Sequence, residues 1–90
     1  MNRIDFHTVD FSKVEILDNY NYHNENYHSY NLEFRLQEYP KERFLVCIDI
    51  WDEEWRIGRI AQMHHIKYYI FDDVLKEKFK IGLKKVLSLN

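Results

Sequence analysis

Five histidines and one cysteine, Cys47, are the side chains in this 90-residue sequence best suited to metal or nucleophilic chemistry. Their spacing argues against both. His23 and His28 have four residues between them in a polar stretch, and His64 and His65 are adjacent. Neighbouring side chains diverge on a strand or a helix, so the adjacent pair does not converge on one ion. A structural zinc site needs about four Cys or His ligands at regular spacing. The only other assembly would join His64 to Asp72 and Asp73, and no metal site is expected. Cys47 lies between Val46 and Ile48, where a thiol is usually an inert small hydrophobe. Ser12, Ser29 and Ser88 lack the Gly-x-Ser-x-Gly elbow that would expose a nucleophile. With only two glycines, the chain has no phosphate-cradling loop or dinucleotide fingerprint. Asp52-Glu53-Glu54 and Asp72-Asp73 read as an exposed turn and a helix start. Asp49 is a carboxylate in an apolar run, and an Arg or Lys partner is expected for it. No catalytic residue, cofactor or enzymatic activity is expected.

Recognition is better served. Between Asn19 and Tyr30 the chain interleaves Tyr20, Tyr22, Tyr27 and Tyr30 with asparagine, histidine and serine. Tyrosine offers a large amphipathic contact area at low entropic cost, and Asn and Ser adapt their hydrogen bonds. Trp51, Trp55, Arg56 and Arg59 are of the types that dominate binding energy at interfaces. Glu25, Asp52, Glu53 and Glu54 add an acidic border. The expected partner-binding set is therefore Tyr20, Tyr22, Glu25, Tyr27, Tyr30, Trp51, Asp52, Glu53, Glu54 and Trp55.

The elements that must position these residues form an α+β domain spanning 1–90. An antiparallel sheet of about four to six strands is expected, with one C-terminal amphipathic helix on one face. Ile4, Phe6, Val9 and Phe11 suggest a first strand over 3–11. Residues 13–17 suggest a second strand or its continuation. Residues 19–30 predict a long hairpin with its tip near Asn24–Asn26. Tyr30, Leu32, Phe34 and Leu36 alternate with polar residues, as in a half-buried strand. Tyr39-Pro40-Lys41-Glu42 predicts a turn. Residues 43–51 are apolar on both sides, which places that strand centrally. A three-residue turn at 52–54 would set Trp51 opposite Trp55, and Gly58 would mark a bulge. A strand is predicted at 66–71, then a helix capped by Asp72 or Asp73. Leu75, Phe79, Leu83 and Val86 form its apolar stripe, and Gly82 would permit close approach to the sheet.

Composition narrows the class. A chain 46% hydrophobic and 17% aromatic is too apolar for a disordered one. The net charge of −2 hides an asymmetry: residues 1–55 carry 12 acidic and 5 basic side chains, and residues 56–90 carry 3 and 8. A lone cysteine permits no internal disulfide, Met1–Asp5 opens without an apolar leader, and no run approaches a membrane span. A cytoplasmic location follows as the expectation. Lys76, Lys78, Lys80, Lys84 and Lys85 make the helix basic, with Arg56 and Arg59 as a candidate extension. The chain is acidic overall and lacks a nucleic-acid motif, so nucleic acid is not the expected partner.

One helix covers one sheet face, yet Leu45, Cys47, Trp51, Trp55 and Ile57 would make the other apolar as well. That shortage of cover leaves three ways to complete the face: the sheet curls on itself, the N-terminal strand folds across it, or a second chain covers it. In size, acidity and lack of catalytic apparatus the chain resembles the broad class of small bacterial or phage immunity and inhibitor proteins, a likeness of type that carries no residues over. The expected function is a stoichiometric inhibitor or immunity/anti-defence protein that occludes a nuclease, toxin or defence enzyme. The alternatives are a homodimeric accessory protein and a small nucleic-acid-binding regulator.

Overall fold

Alternation of buried and exposed residues along the strands builds a sheet with one dry side. In the computed structural model, which describes residues 3–88, the strands are β1 (Glu15–His23), β2 (Tyr27–Leu36), β3 (Tyr39–Trp51), β4 (Glu54–Gln62) and β5 (Lys67–Ile70). They form an antiparallel meander in sequence order, followed by a single helix, α1 (Asp73–Val86). The fold is α+β, and its five strands fall within the expected range. Leu32, Phe34 and Leu36 of β2, Phe44, Val46 and Ile48 of β3, Trp55 and Ile60 of β4, and Tyr69 of β5 fill the inner face. No helix among the described residues is long and apolar enough to cross a membrane.

The first expected strand, 3–11, is instead two 3-10 turns, Phe6–Thr8 and Phe11–Lys13. The reason is local. Asp5 accepts the His7 N–H at 3.0 Å, and Asp10 accepts both the Ser12 N–H at 3.0 Å and its hydroxyl at 2.6 Å. These aspartate turns outcompete an extended backbone. The two Ser12 hydrogen bonds, side-chain first, hold the Asp10 carboxyl below its ordinary value. Ile4, Phe6, Val9, Phe11 and Val14 are all buried. Phe6 meets Phe44 and Tyr69 edge-on at 5.5 and 4.7 Å, while Phe11 meets Phe79 at 4.9 Å. The segment thus links sheet to helix, and each phenylalanine burial contributes roughly 1.5–3 kcal/mol.

Helix α1 starts where Asp72 accepts the Leu75 N–H at 2.7 Å; its other oxygen meets His7 Nε2 at 2.9 Å. Lys78 Nζ donates to the His7 carbonyl, a second tie to the N-terminal segment. Gly82 permits a close approach, but to the second 3-10 turn rather than to the sheet. A Cβ there would lie 2.6 Å from Phe11 Cβ and 2.8 Å from the Phe11 carbonyl carbon.

Three turns correct the expected registers. The hairpin between β2 and β3 turns at Gln37-Glu38, not over 39–42, and Leu36 pairs with Tyr39. Pro40 falls in the irregular stretch between the Phe34–Phe44 and Leu36–Tyr39 pairs, where a missing N–H breaks no ladder. The β3–β4 turn has two residues, Asp52 and Glu53, at φ 46° and 69°. Trp51 therefore pairs with Glu54, and Ile50 with Trp55. That single step puts the tryptophans on opposite faces instead of side by side. Gly58 does lie at a bulge, between the Val46–Ile60 and Ile48–Ile57 pairs.

Among the described residues Gln62 is the polar residue whose side chain lies in the core. Gln62 accepts from the Tyr69 hydroxyl at 2.8 Å and donates to Glu42 at 3.1 Å, and Glu42 meets His65 Nε2 at 2.9 Å. The Tyr69 oxygen accepts the Ile4 N–H at 3.4 Å. A buried amide with both ends satisfied fixes the N-terminal segment on the sheet.

Candidate functional site

Among the described residues no element covers the outer face of the sheet. Alternation puts Leu45, Cys47, Asp49 and Trp51 of β3 on that side, between Tyr27, Ser29 and Asn31 of β2 and Glu54, Arg56 and Ala61 of β4. Leu45 and Trp51 are 42% and 45% exposed, and Cys47 is exposed too. The thiol is therefore a surface group, not the enclosed hydrophobe that its sequence neighbours suggested. Burial beside the strand and the nearby Asp49 push it above its ordinary value, although a Ser29 hydrogen bond draws it down. A thiol shifted upward is a weakened nucleophile.

An aromatic row crosses three strands on this face. Tyr22 lies 6.1 Å from Tyr27, and Tyr27 lies 4.8 Å from Trp51. Tyr20, at 73% exposure, extends the patch along β1. Asp49, expected to pair with a cation, instead accepts the Tyr27 hydroxyl at 2.8 Å, and Arg56 is its register partner on β4. The hydrogen bond from Ser29 lowers the Tyr27 pKa, but the Asp49 carboxylate and burial outweigh it and leave the phenol above its ordinary value. The hydroxyl is thus a fixed donor to Asp49, which holds the ring against Trp51.

The acidic residues gather at the end of the sheet. The Asp52 N–H donates to the Asn26 carbonyl at 3.3 Å, joining the two hairpin tips and bringing Glu25 near Asp52 and Glu53. On the inner side these tips border a cleft of about 790 Å³, floored by Ile50, Trp55 and His28 and faced by Lys80 and Lys84. The His23 and His28 rings lie 3.9 Å apart there, tilted by 33°. Left-handed backbone at Asp52 and Glu53 is a departure from the Asn-Gly that such a tight turn favours. A non-glycine residue in that region costs on the order of 1 kcal/mol, so the turn keeps its charges at some expense in stability.

The ten residues read from the sequence as a partner surface thus divide. Tyr20, Tyr22, Tyr27, Trp51 and Glu54 share the outer face. Glu25, Asp52 and Glu53 share the tip. Tyr30 and Trp55 do not belong with them: at 8% and 4% exposure they are core residues on the inner face. Ile57 is also inner, as the register partner of Ile48.

Tyr68 and Ile70 were missed. They stand on the outer face of β5, with the Arg59 guanidinium 4.1 Å from the Tyr68 ring centre. Their alternation about the buried Tyr69 was the signal available. Arg56 and Arg59 lie on this face, whereas the lysines of α1 lie beyond the inner one, so the two groups do not make the continuous basic patch considered from the sequence.

Among the described residues no three His, Cys, Asp or Glu side chains gather closely enough to hold a metal ion. His7, His65 and the His23–His28 pair each have structural partners. Compared with protein-family models, with curated proteins and with solved structures, the chain matches none.

Proposed function

We propose that this protein is a non-catalytic protein-binding module that acts as a stoichiometric inhibitor or immunity protein, occluding a nuclease, toxin or defence enzyme. The outer face of the sheet is its contact surface, with the acidic tip as its border. The observation that supports this most is the open aromatic row Tyr22–Tyr27–Trp51, which shares its face with exposed Leu45 and Tyr20 and has no covering element among the described residues. A Trp packed at 47° against a Tyr held by a carboxylate is a rigid anchor, and such anchors carry most of the binding energy at interfaces. Carboxylates at the border steer a basic partner more than they hold it.

The test is recovery of a roughly equimolar complex by tagged protein from the native host or its target cell. Trp51→Ala should weaken that complex by at least about tenfold, a hot-spot effect of ~1.4 kcal/mol or more. Reversing Glu25, Asp52, Glu53 and Glu54 to lysine should slow association without a matching change in dissociation. Affinity that survives Trp51→Ala, Tyr20→Ala, Tyr22→Ala and the charge reversals would rule out this surface.

A further inference from the structure

His23 and His28 have four residues between them in the chain, and the β1–β2 hairpin sets them opposite each other. The hairpin turns on Glu25 and Asn26. The Asn24 N–H donates to the Tyr27 carbonyl at 2.9 Å, and the Asn24 side-chain oxygen accepts the Asn26 N–H at 3.3 Å. Asn24 and Tyr27 thus form the closing hydrogen-bonded pair. Pair types alternate along an antiparallel ladder, so the next pair, His23–His28, is non-hydrogen-bonded, the type whose side chains approach most closely. The ring centres are 3.9 Å apart and the planes inclined at 33°. Buried Tyr30 places its ring 5.8 Å from that of His28 and restricts how the imidazole can turn.

Among the described residues these two imidazoles meet each other and Tyr30 as rings and make no hydrogen bond or ion pair. Their nitrogens are free to bind something else. Both line the cleft of about 790 Å³, which has room for an ion and its waters. Glu25, Asp52 and Glu53 line it too, against Lys80 and Lys84, so carboxylates outnumber ammonium groups and the local field favours a cation. Imidazole suits zinc, copper and nickel, whereas carboxylate and carbonyl oxygens suit magnesium and calcium. A zinc–imidazole bond is roughly 2.0–2.1 Å long, so two imidazoles on one ion keep their donor nitrogens within roughly 4 Å. The hairpin already holds the rings at about that spacing. Lone pairs lie in the ring plane, so a swing about each Cβ–Cγ bond aims one nitrogen of each ring at a common ion.

We infer that His23 and His28 form a two-imidazole site for a divalent zinc, copper or nickel ion, with water completing its coordination. Two protein ligands are fewer than the three or four of a resident zinc, so the ion is exchangeable. It clips the β1–β2 hairpin shut rather than organising the fold. His64 and His65 make no second site of this kind, because His65 is turned to Glu42. The site lies on the inner side of the sheet and is independent of the inhibitor reading.

Titration of the full chain with Zn²⁺, followed through the imidazole proton resonances, tests this without any variant. The His23 and His28 resonances should shift in step, while those of His7, His64 and His65 stay in place. Cu²⁺ should bind more tightly than Zn²⁺ or Ni²⁺, and Mg²⁺ should move neither ring. His23→Gln and His28→Gln should each weaken Zn²⁺ binding at least about tenfold, since losing even an outer-shell partner weakens a metal site about 10–100-fold. His64→Gln should leave it unchanged. Zn²⁺ should also raise the urea midpoint of the wild-type protein, and raise it less in His23→Gln. Histidine resonances that stay put at saturating Zn²⁺, or shifts confined to His64 and His65, overturn the inference. So does Zn²⁺ affinity that survives both glutamine variants, or Mg²⁺ binding as tight as Zn²⁺, which would assign the cation to the carboxylates of the tip.

Discussion

Phe44, Val46 and Ile48 on one side of β3 are sealed from water, while Leu45, Cys47 and Trp51, threaded between them, stand in it. Both sets are apolar and share one strand, so propensity does not distinguish them. Cover does. The N-terminal segment and α1 both lie on the inner side, stitched together by Phe6, Phe11 and Phe79. A chain this short has surface enough for one layer, and both non-sheet elements are placed in it. The apolar character of the outer side then calls for a reason outside the protomer.

The sharpest way to break this contrast is truncation on each side. Phe79→Ala should cost about 3–5 kcal/mol in chemical denaturation, whereas Leu45→Ala should cost less than about 1 kcal/mol. Comparable losses would mean that the outer face is also part of the core. Next in size is Gly82→Ala. Its new Cβ would meet Phe11 backbone as well as side chain, so neither a rotamer change nor a small shift relieves it, and about 1–3 kcal/mol of destabilisation is expected from the same denaturation curves. A neutral outcome would show that α1 sits looser over the second 3-10 turn.

A smaller effect, of opposite sign, is expected at the tip. Glu53→Gly relieves the left-handed backbone at φ 69°, partly offset by the glycine's added freedom in the unfolded chain, and should stabilise the protein by less than about 1 kcal/mol while slowing association with a basic partner. The smallest effect concerns Tyr27 on the outer face. Its phenol pKa is raised on folding, so the folded state holds that proton more tightly. The associated stability is complete below the ordinary phenol value of about 10 and is lost as pH climbs through the higher folded value. Alkaline denaturation of Tyr27→Phe should lack this increment.

Much of the architecture can be read from alternation alone. The strand periods at 30–36 and 43–51, the helix stripe of Leu75, Phe79 and Leu83, and the Asp72 cap all follow from local rules. What escaped depends on one-residue decisions. Ile4, Phe6, Val9 and Phe11 have spacings compatible with a strand, and only the side chains of Asp5 and Asp10, by capping the next residues, convert them to turns. A three-residue turn would set Trp51 and Trp55 together. Asp52 and Glu53 both accept left-handed backbone, so the turn closes with two residues and inverts Trp55. Composition groups Tyr30 with the hairpin tyrosines, yet its parity matches Leu32 and Phe34, which puts it in the core. Face assignment in a sheet is a count of residues from the nearest turn, and each misjudged turn moved one aromatic to the wrong side.

The central claim, that the outer face is open in the single chain, is tested most directly by the only cysteine. Cys47 should react with a small maleimide in dilute native protein at a rate proportional to reagent concentration and insensitive to sub-denaturing urea. Its raised pKa should merely scale that rate down. Modification that is independent of reagent concentration and follows the global unfolding rate would mean that Cys47 is enclosed, and the outer face would lose its standing as a surface for another protein.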